Sequence, residues 1–214
     1  MSLLTTYHFQ FERLRSAAGA ATGFASRIGL FIGTALILGI GSSWYMIEQG
    51  SRVSIERTGP WVRWSNAGLA GADPYTRARF ARQGSLPLPA DLARTYEARR
   101  DDEGQRLHSS CDYLIEGEGF DASWWTLTAF DDRGALIPNA AERYAYNSQT
   151  IARAADGSFV ITLSRDARPG NWLPTGGAGR LALTFAVVLA PSQSVGAAQA
   201  AAPPLPSIRR LACR

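Results

Sequence analysis

The pattern of apolar and polar residues changes twice along this chain of 214 residues. The first distinct segment, residues 28–47 from Ile28 to Ile47, has no charged side chain and lies between Arg27 and Glu48. A helix of that length rises about 30 Å, which matches the hydrocarbon core of a bilayer. Its glycines would weaken a soluble helix but are common in membrane helices. The pattern therefore predicts one transmembrane helix, whose partner is the lipid bilayer.

The flanks of this segment favour a retained signal-anchor over a cleaved signal peptide. Its apolar run is longer than the usual length of about 7–15 residues, and no small-x-small cleavage motif follows it. Residues 1–27 are weakly amphipathic and are predicted to form a short cytoplasmic leader. Gly29 and Gly33 have the spacing of closely paired membrane helices. Either a homodimer through this helix or the ordinary frequency of glycine in membrane helices explains them.

The orientation of the helix follows from the lengths of its flanks. Arginines are about equally frequent on the two sides, so their count does not fix it. A long domain is translocated largely regardless of charge, whereas a short basic leader stays in the cytoplasm. We expect a single-pass protein of the bacterial inner membrane, with its N-terminus inside and residues 48–191 in the periplasm.

One short helix is predicted after the membrane segment. Asp73 is a helix N-cap residue, Pro74 suits the first helical position, and Gly84 is a typical helix stop. These signals predict a helix over residues 75–83, which carries three arginines.

Farther along, the period of the pattern falls to two, as in half-buried strands. Trp125, Leu127 and Ala129 alternate within residues 124–130, and residues 181–190 are apolar on both faces, as in a central strand. Short strands between turn signals predict an antiparallel β-sandwich, of jelly-roll-like form. The other predicted strands are residues 61–64, 95–99 and 111–116, with a hairpin at Asp156-Gly157 between residues 149–153 and 158–163.

The net positive charge lies at the two ends of the chain, because the residues between them hold 16 arginines and 17 acids. Residues 192–214 hold three arginines and no acid, and residues 1–27 hold three arginines and one glutamate. A nucleic-acid-binding domain concentrates its basic charge on the fold itself, so we expect no nucleic-acid partner. The end of the chain, 192–214, is rich in alanine and proline and buries too little apolar surface to offset its ordering entropy. We expect it to be disordered.

The two cysteines, Cys111 and Cys213, are far apart in the sequence. A structural zinc site needs four ligands, so we expect no metal and no cofactor. A periplasmic location would permit a disulfide, but a disordered tail would leave Cys213 mobile, so we expect no stable bridge. His108 precedes Cys111 by three residues, yet no third group that would orient a Cys–His nucleophile can be named.

The strand-rich region resembles a bacterial family known as domain of unknown function number 1214. The resemblance covers about residues 93–190, and two upstream segments, at Gly59-Pro60-Trp61 and Asp73-Pro74, resemble its short membrane-anchored members. It implies a jelly-roll-like β domain and no established activity. The residues that carry it are Trp124-Trp125-Thr126-Leu127-Thr128, Asp131, Asn139, Arg143-Tyr144, Asp156-Gly157-Ser158 and Asn171-Trp172-Leu173-Pro174.

Six residues of this region are candidate ligand-binding residues. Arginine and asparagine offer directed donors and tryptophan offers a flat apolar platform, which suits a sugar-like or carboxylate-bearing ligand. The alternative is structural: the acid and amides bond turn amides, the tryptophan fills the core and the arginine pairs with an acid. The candidates are Asp131, Asn139, Arg143, Tyr144, Asn171 and Trp172.

Two functions remain open at this point. The first is a membrane-anchored cell-envelope module that binds a small polar ligand or an envelope protein without turning it over. The second is a hydrolase-type enzyme that uses a carboxylate, such as Asp131 with Glu142, and Arg143 on a sugar-like or envelope substrate. A pocket with an acid of perturbed pKa facing Arg143 would favour the enzyme. A flat aromatic surface or a filled end of the sandwich would favour the binding module.

Overall fold

The N-terminal helix, α1 (Leu3–Gln49), extends beyond the predicted transmembrane segment at both ends. The computed structural model describes residues 3–50, 54–119, 122–189 and 203–214. Within α1, Ser26–Gln49 is long and apolar enough to cross a membrane. The chain divides into two units, Met1–Gln49 and Gly50–Arg214. The second unit contains the strands.

Ten strands of the second unit form two sheets. The six-stranded sheet has the order β1-β2-β3-β9-β5-β6, and the four-stranded sheet has the order β10-β4-β7-β8. The strands are β1 (Ile55–Thr58), β2 (Trp61–Trp64), β3 (Ala93–Ala98), β4 (Cys111–Gly117), β5 (Trp124–Asp131), β6 (Ala145–Asn147), β7 (Phe159–Ser164), β8 (Asn171–Pro174), β9 (Leu181–Val188) and β10 (Ser207–Cys213).

The core lies between the two sheets, because alternate side chains of both point inward. Trp125 of β5 stacks on Phe159 of β7 with ring centroids 4.8 Å apart, and it also meets Phe185 of the central strand β9. These rings belong to one cluster of buried residues that draws on both sheets. The predicted mainly β, two-sheet fold with one short helix is confirmed. One pair departs from the antiparallel expectation, since β7 and β8 run parallel.

The strand prediction for residues 149–153 is wrong. This segment follows β6 as a turn and an irregular stretch, while β7 forms close to its predicted place. Asn147 Oδ1 accepts hydrogen bonds from the amides of Gln149 and Thr150, and Asn171 bonds both the amide and the carbonyl of Ala152. Side-chain amides therefore satisfy backbone groups that a neighbouring strand would otherwise pair.

The expectation of a disordered tail is also wrong for residues 203–214, because β10 pairs with β4 along the edge of the smaller sheet. Residues 192–202 lie outside the described residues. Ile208 is fully buried in the core, and the Trp61 indole donates to the Pro206 carbonyl at 2.6 Å. A disulfide joins Cys111 to Cys213, contrary to our expectation of no bridge. The average composition of the tail does not indicate that one residue, Ile208, enters the core or that Cys213 forms a disulfide.

Candidate functional site

An arginine-rich groove of about 770 Å³ lies on the second unit, and we call it the arginine groove. One wall is the helix α2 (Pro74–Gln83) with the connector of residues 85–88. The floor is the outer face of the six-stranded sheet. Thr95, Glu97 and Thr184 line it, and these positions alternate along β3 and β9 with buried core residues.

Positive charge predominates in the arginine groove. Among its described lining residues, six are arginines and two, Glu97 and Asp132, are acids. Arg99 forms an ion pair with Glu97, while the Arg79 guanidinium lies 4.9 Å from the ring centre of Trp64. Apolar side chains, among them Phe80 and Phe130, complete the lining. The arginines are Arg63, Arg79, Arg82, Arg94, Arg99 and Arg133.

Arg94 differs from the other arginines of the groove because only 4% of its surface is exposed. Burial raises the pKa of the neighbouring Tyr96 phenol, and a hydrogen bond with Arg94 partly opposes that rise. The Arg63 side chain, 11% exposed, forms an ion pair with Glu56 at 2.8 Å. Arg94 alternates with the outward-facing Thr95 and shares the inward side of β3 with Tyr96, so its charge is held inside the protein.

The sequence of α2 fixes the wall of the groove. Asp73 caps the helix as predicted, since its carboxylate accepts from the amides of Tyr75 and Thr76 at 3.0 Å and from the Thr76 hydroxyl. Burial raises the pKa of Asp73, but these bonds and one from Asn66 outweigh it, so the pKa is lowered overall. Gly84 ends the helix with φ of 62°, a left-handed conformation that glycine adopts without strain. Arg79 and Arg82, three residues apart, thereby face the same groove.

The turn after β5 closes one end of the arginine groove. Asp131 Oδ1 accepts from the amides of Arg133 and Ala135 at 3.0 and 2.8 Å. Gly134, with φ of 82°, permits the tight return of the chain. Asp132, Arg133 and Gly134 line the groove. The predicted candidate Asp131 is thus a positioning residue of a turn that contributes to the groove wall.

Two of the predicted candidates, Arg143 and Trp172, are in direct contact elsewhere on the domain. Arg143 Nη1 donates to the Trp172 carbonyl at 3.1 Å, and its guanidinium lies 5.7 Å from the ring centre of Tyr146 and 5.9 Å from that of Trp172. Asn139 fixes the backbone of Arg143, because its side chain bonds both the amide and the carbonyl of that residue at 3.0 Å. The structure therefore brings an arginine against two aromatic rings, which we call the Arg143 cluster.

Asn171 supports the Arg143 cluster from within the fold. It is buried, and its amide group makes three bonds of 2.8–2.9 Å to the backbone of Ala152 and Val160. Trp172 is half-buried, and its indole donates to the Ser164 carbonyl at 3.1 Å. Both side chains use their polar groups inside the protein.

The remaining predicted residues lie apart from these contacts. Tyr144 is half-buried, and its carbonyl accepts from Ala129 in the neighbouring strand at 3.3 Å. Glu142 is exposed with φ of 48°. Asp131 bonds its own turn, so its described contacts do not include Glu142 or Arg143. The carboxylate pair that the hydrolase alternative needs is therefore not assembled among the described contacts of these residues.

The residues of the arginine groove were not predicted as a site from the sequence. The sequence does predict a helix with arginines, and the spacing of three residues between Arg79 and Arg82 places these two on one helix face. Nothing local indicated that this face would line one groove with Thr95 of β3 and with Arg99, because that arrangement depends on the tertiary structure.

The chemistry of the two cysteines is settled by their bridge. Cys111 is joined to Cys213, so a Cys111–His108 nucleophile is not formed. His108 Nδ1 instead lies 2.8 Å from the Ser110 hydroxyl. In the part of the chain that the structure describes, no group of three or more His, Cys, Asp or Glu residues is placed to hold a metal ion.

The fold and the groove define a two-sheet β domain that follows an apolar helix. Residues 93–192 match a family described as "Protein of unknown function (DUF1214)". The match includes β3 to β9 and ends before β10. No curated protein matches the chain.

Two solved structures are similar to this chain. The VPA0106 protein from Vibrio parahaemolyticus is 19% identical, with a TM-score of 0.55 over 81% of this chain and 43% of that protein. An uncharacterized protein from Burkholderia cenocepacia is 16% identical, with a TM-score of 0.40 over 84% of this chain and 52% of that protein. The chain thus spans about half or less of both solved proteins. The Vibrio structure supports the fold alone.

Proposed function

We propose that this chain is a membrane-anchored envelope module that binds an anionic ligand in the arginine groove without turning it over. The supporting observation is a groove of about 770 Å³ whose described lining has six arginines and two acids beside apolar side chains such as Phe80 and Phe130. Guanidinium groups recognise carboxylates and phosphates with paired hydrogen bonds. The apolar side chains of the lining lower the local dielectric constant and strengthen that attraction.

The proposed place of this module is the periplasmic face of the bacterial inner membrane, with α1 as a retained single-pass anchor. The apolar stretch Ser26–Gln49 supports the anchor. The bridge between Cys111 and Cys213 supports an oxidising compartment for the domain, since such bonds are rare in the cytoplasm. The short basic leader supports a cytoplasmic N-terminus.

Binding without turnover is favoured over hydrolysis by the surroundings of Arg143. Its guanidinium contacts two aromatic rings and a carbonyl. Asp73 and Asp102 have perturbed pKa values, but Asp73 caps α2 and Asp102 accepts from the amide of Ile208 in β10. Both carboxylates serve the fold, which leaves the arginine groove as the stronger candidate for function.

The test is a thermal-shift measurement on the full chain in nanodiscs of zwitterionic lipid, with citrate, inorganic phosphate and a neutral sugar. We expect both anions to raise Tm, by mass action worth about 2.7 kcal/mol at a hundredfold excess over Kd, and the sugar to have no effect. Arg82→Gln and Arg133→Gln should weaken the response. Arg165→Gln is the matched control, because Arg165 is exposed and is not among the residues that line the groove. These anions also stabilise proteins non-specifically, so the difference between variants is decisive.

The same measurement separates the arginine groove from the six residues predicted from sequence. Arg143→Ala should lower the melting temperature of the free protein, because it removes a hydrogen bond to the Trp172 carbonyl, yet it should leave the response to anions intact. If Arg143→Ala abolishes the response while Arg82→Gln and Arg133→Gln keep it, the ligand binds at the Arg143 cluster and the groove proposal is wrong. Equal responses in every variant would also contradict it.

A further inference from the structure

A second cavity, of about 950 Å³, lies on the other side of the connector that follows α2. Its lining is mostly alanine, glycine, leucine, proline and phenylalanine, so we call it the apolar cavity. Two of its polar side chains are already used within the protein: the Thr76 hydroxyl donates to Asp73, and Arg77 Nε donates to the Ala72 carbonyl at 2.7 Å. The remaining polar residues of the lining are Ser85 and Asp91, so the apolar cavity suits the hydrocarbon part of a ligand.

The two cavities share a wall. Phe80 of α2 and Ser85, Leu86 and Pro87 of the connector line both of them. Leu86 is 95% exposed and Leu88, which lines the arginine groove, is 62% exposed. Apolar side chains that are exposed next to each other often mark a binding surface. A ligand that passed over this connector would remove them from water and would meet arginines at one end and apolar side chains at the other.

We propose that the arginine groove and the apolar cavity form one site for a single-chain amphiphile with an anionic head group. The head, a carboxylate of the fatty-acid type, lies against the arginines. The hydrocarbon chain crosses Phe80 and Leu86 and fills the apolar cavity. This inference rests on the proposed anion-binding function and adds the class of ligand. Charge selects the head, and burial of methylene groups provides affinity that grows with chain length.

The experiment compares butyrate, hexanoate, octanoate and decanoate, each below its micelle-forming concentration, against the full chain in the same nanodiscs. Wild type should bind more tightly with each added methylene, up to roughly fourfold where the methylene is fully buried. Ala81→Trp should abolish this dependence and leave butyrate binding unchanged, because Ala81 is exposed and lines the apolar cavity but not the groove. Ala155→Trp, at an exposed turn, controls for the added ring.

A second blocking variant and a charge variant complete the design. Ala70→Trp fills the same cavity from the loop before α2 and should act like Ala81→Trp if that variant folds poorly. Arg82→Gln with Arg133→Gln should weaken every alkanoate by a similar factor. Partition of the longer alkanoates into the nanodisc is the same for all variants, so the ratio of wild type to variant isolates binding by the protein.

The outcomes separate this inference from the proposed function. If butyrate and citrate bind through the arginines but wild type, Ala81→Trp and Ala70→Trp share one chain-length dependence, the amphiphile inference is wrong and the anion-binding function stands. If the double arginine variant binds all ligands as wild type does, both are wrong. A chain-length dependence that both tryptophan variants remove supports the single site.

Discussion

Side-chain amides replace backbone pairing at two places in this domain. Asn139 holds both polar backbone groups of Arg143, and Asn171 holds both of Ala152. Each side-chain amide offers donors and an acceptor at once, so one residue can hydrogen-bond both the N–H and the C=O of a backbone segment that has no neighbouring strand. The types of residue that suggested a ligand site are therefore also the types that a loop-rich sandwich needs for its own backbone.

Asp73 gives a pH-dependent prediction at the scale of one residue. Its pKa is lowered in the folded protein from 3.8, so its contribution to stability is complete above the unfolded pKa and is lost as pH falls through the folded value. Asp73→Ala should cost about 1 kcal/mol at neutral pH. Asp73→Ser keeps a capping oxygen that does not titrate. Its free energy of unfolding should therefore fall less than that of wild type as the pH drops below about 4. Urea unfolding across this range measures both, and identical pH profiles for wild type and Asp73→Ser would contradict the prediction.

At the scale of elements, β10 contributes more to the stability of the domain than its sequence suggests. It pairs with the edge of β4 and buries Ile208, whose backbone amide donates a hydrogen bond to the Asp102 carboxylate. The Arg210–Asp101 ion pair also holds it. Asp101 is itself buried, so the loss of Arg210 would leave a carboxylate unpaired inside the protein. The strand protects an edge that would otherwise be open to other chains.

Reduction and truncation should therefore destabilise the domain by different amounts. The bridge closes a loop with a sequence separation of 102 and is worth up to about 4–5 kcal/mol in the chain-entropy model. Cys213→Ser should lower Tm and become insensitive to dithiothreitol, whereas wild type should fall to a similar Tm when reduced. A chain that ends at Pro191 should be less stable still, because it also loses Ile208 from the core. Equal stability of the truncated and full chains would show that β10 contributes nothing.

At the scale of the whole molecule, the proposed compartment of the second unit must be compatible with both the apolar helix and the disulfide. The helix stretch Ser26–Gln49 could hold the second unit on either side of a membrane, but the bridge is stable only where conditions are oxidising. The periplasmic location that we propose is compatible with both features.

Topology is tested by reporters fused after Arg214. Alkaline phosphatase, which is active only outside the cytoplasm, should be active in this fusion, and a green fluorescent protein that folds only in the cytoplasm should be dark. The mature chain should keep its leader, as mass analysis of the purified protein would record. The reverse reporter pattern, or a mature protein that begins near Gln49, would contradict the retained anchor.

Local pattern alone determined the membrane-type helix, the cap and stop of α2, and most strands of the core. In each case a short period or a capping residue fixes the structure without distant help: Trp125, Leu127 and Ala129 alternate, and Asp73 bonds the amides two and three residues ahead of it. The family resemblance also came from the sequence, and it covers the segment that the family match contains.

Only the tertiary structure decided where the arginines meet and whether the end of the chain is ordered. Arg82 of α2 and Arg133 of the turn after β5 line one groove although they are far apart in sequence. Cys213 bonds to Cys111, and Ile208 enters the core, because β10 pairs with β4 about a hundred residues earlier in the chain. Such contacts have no local period, since they depend on the closure of long loops that burial and the disulfide together stabilise.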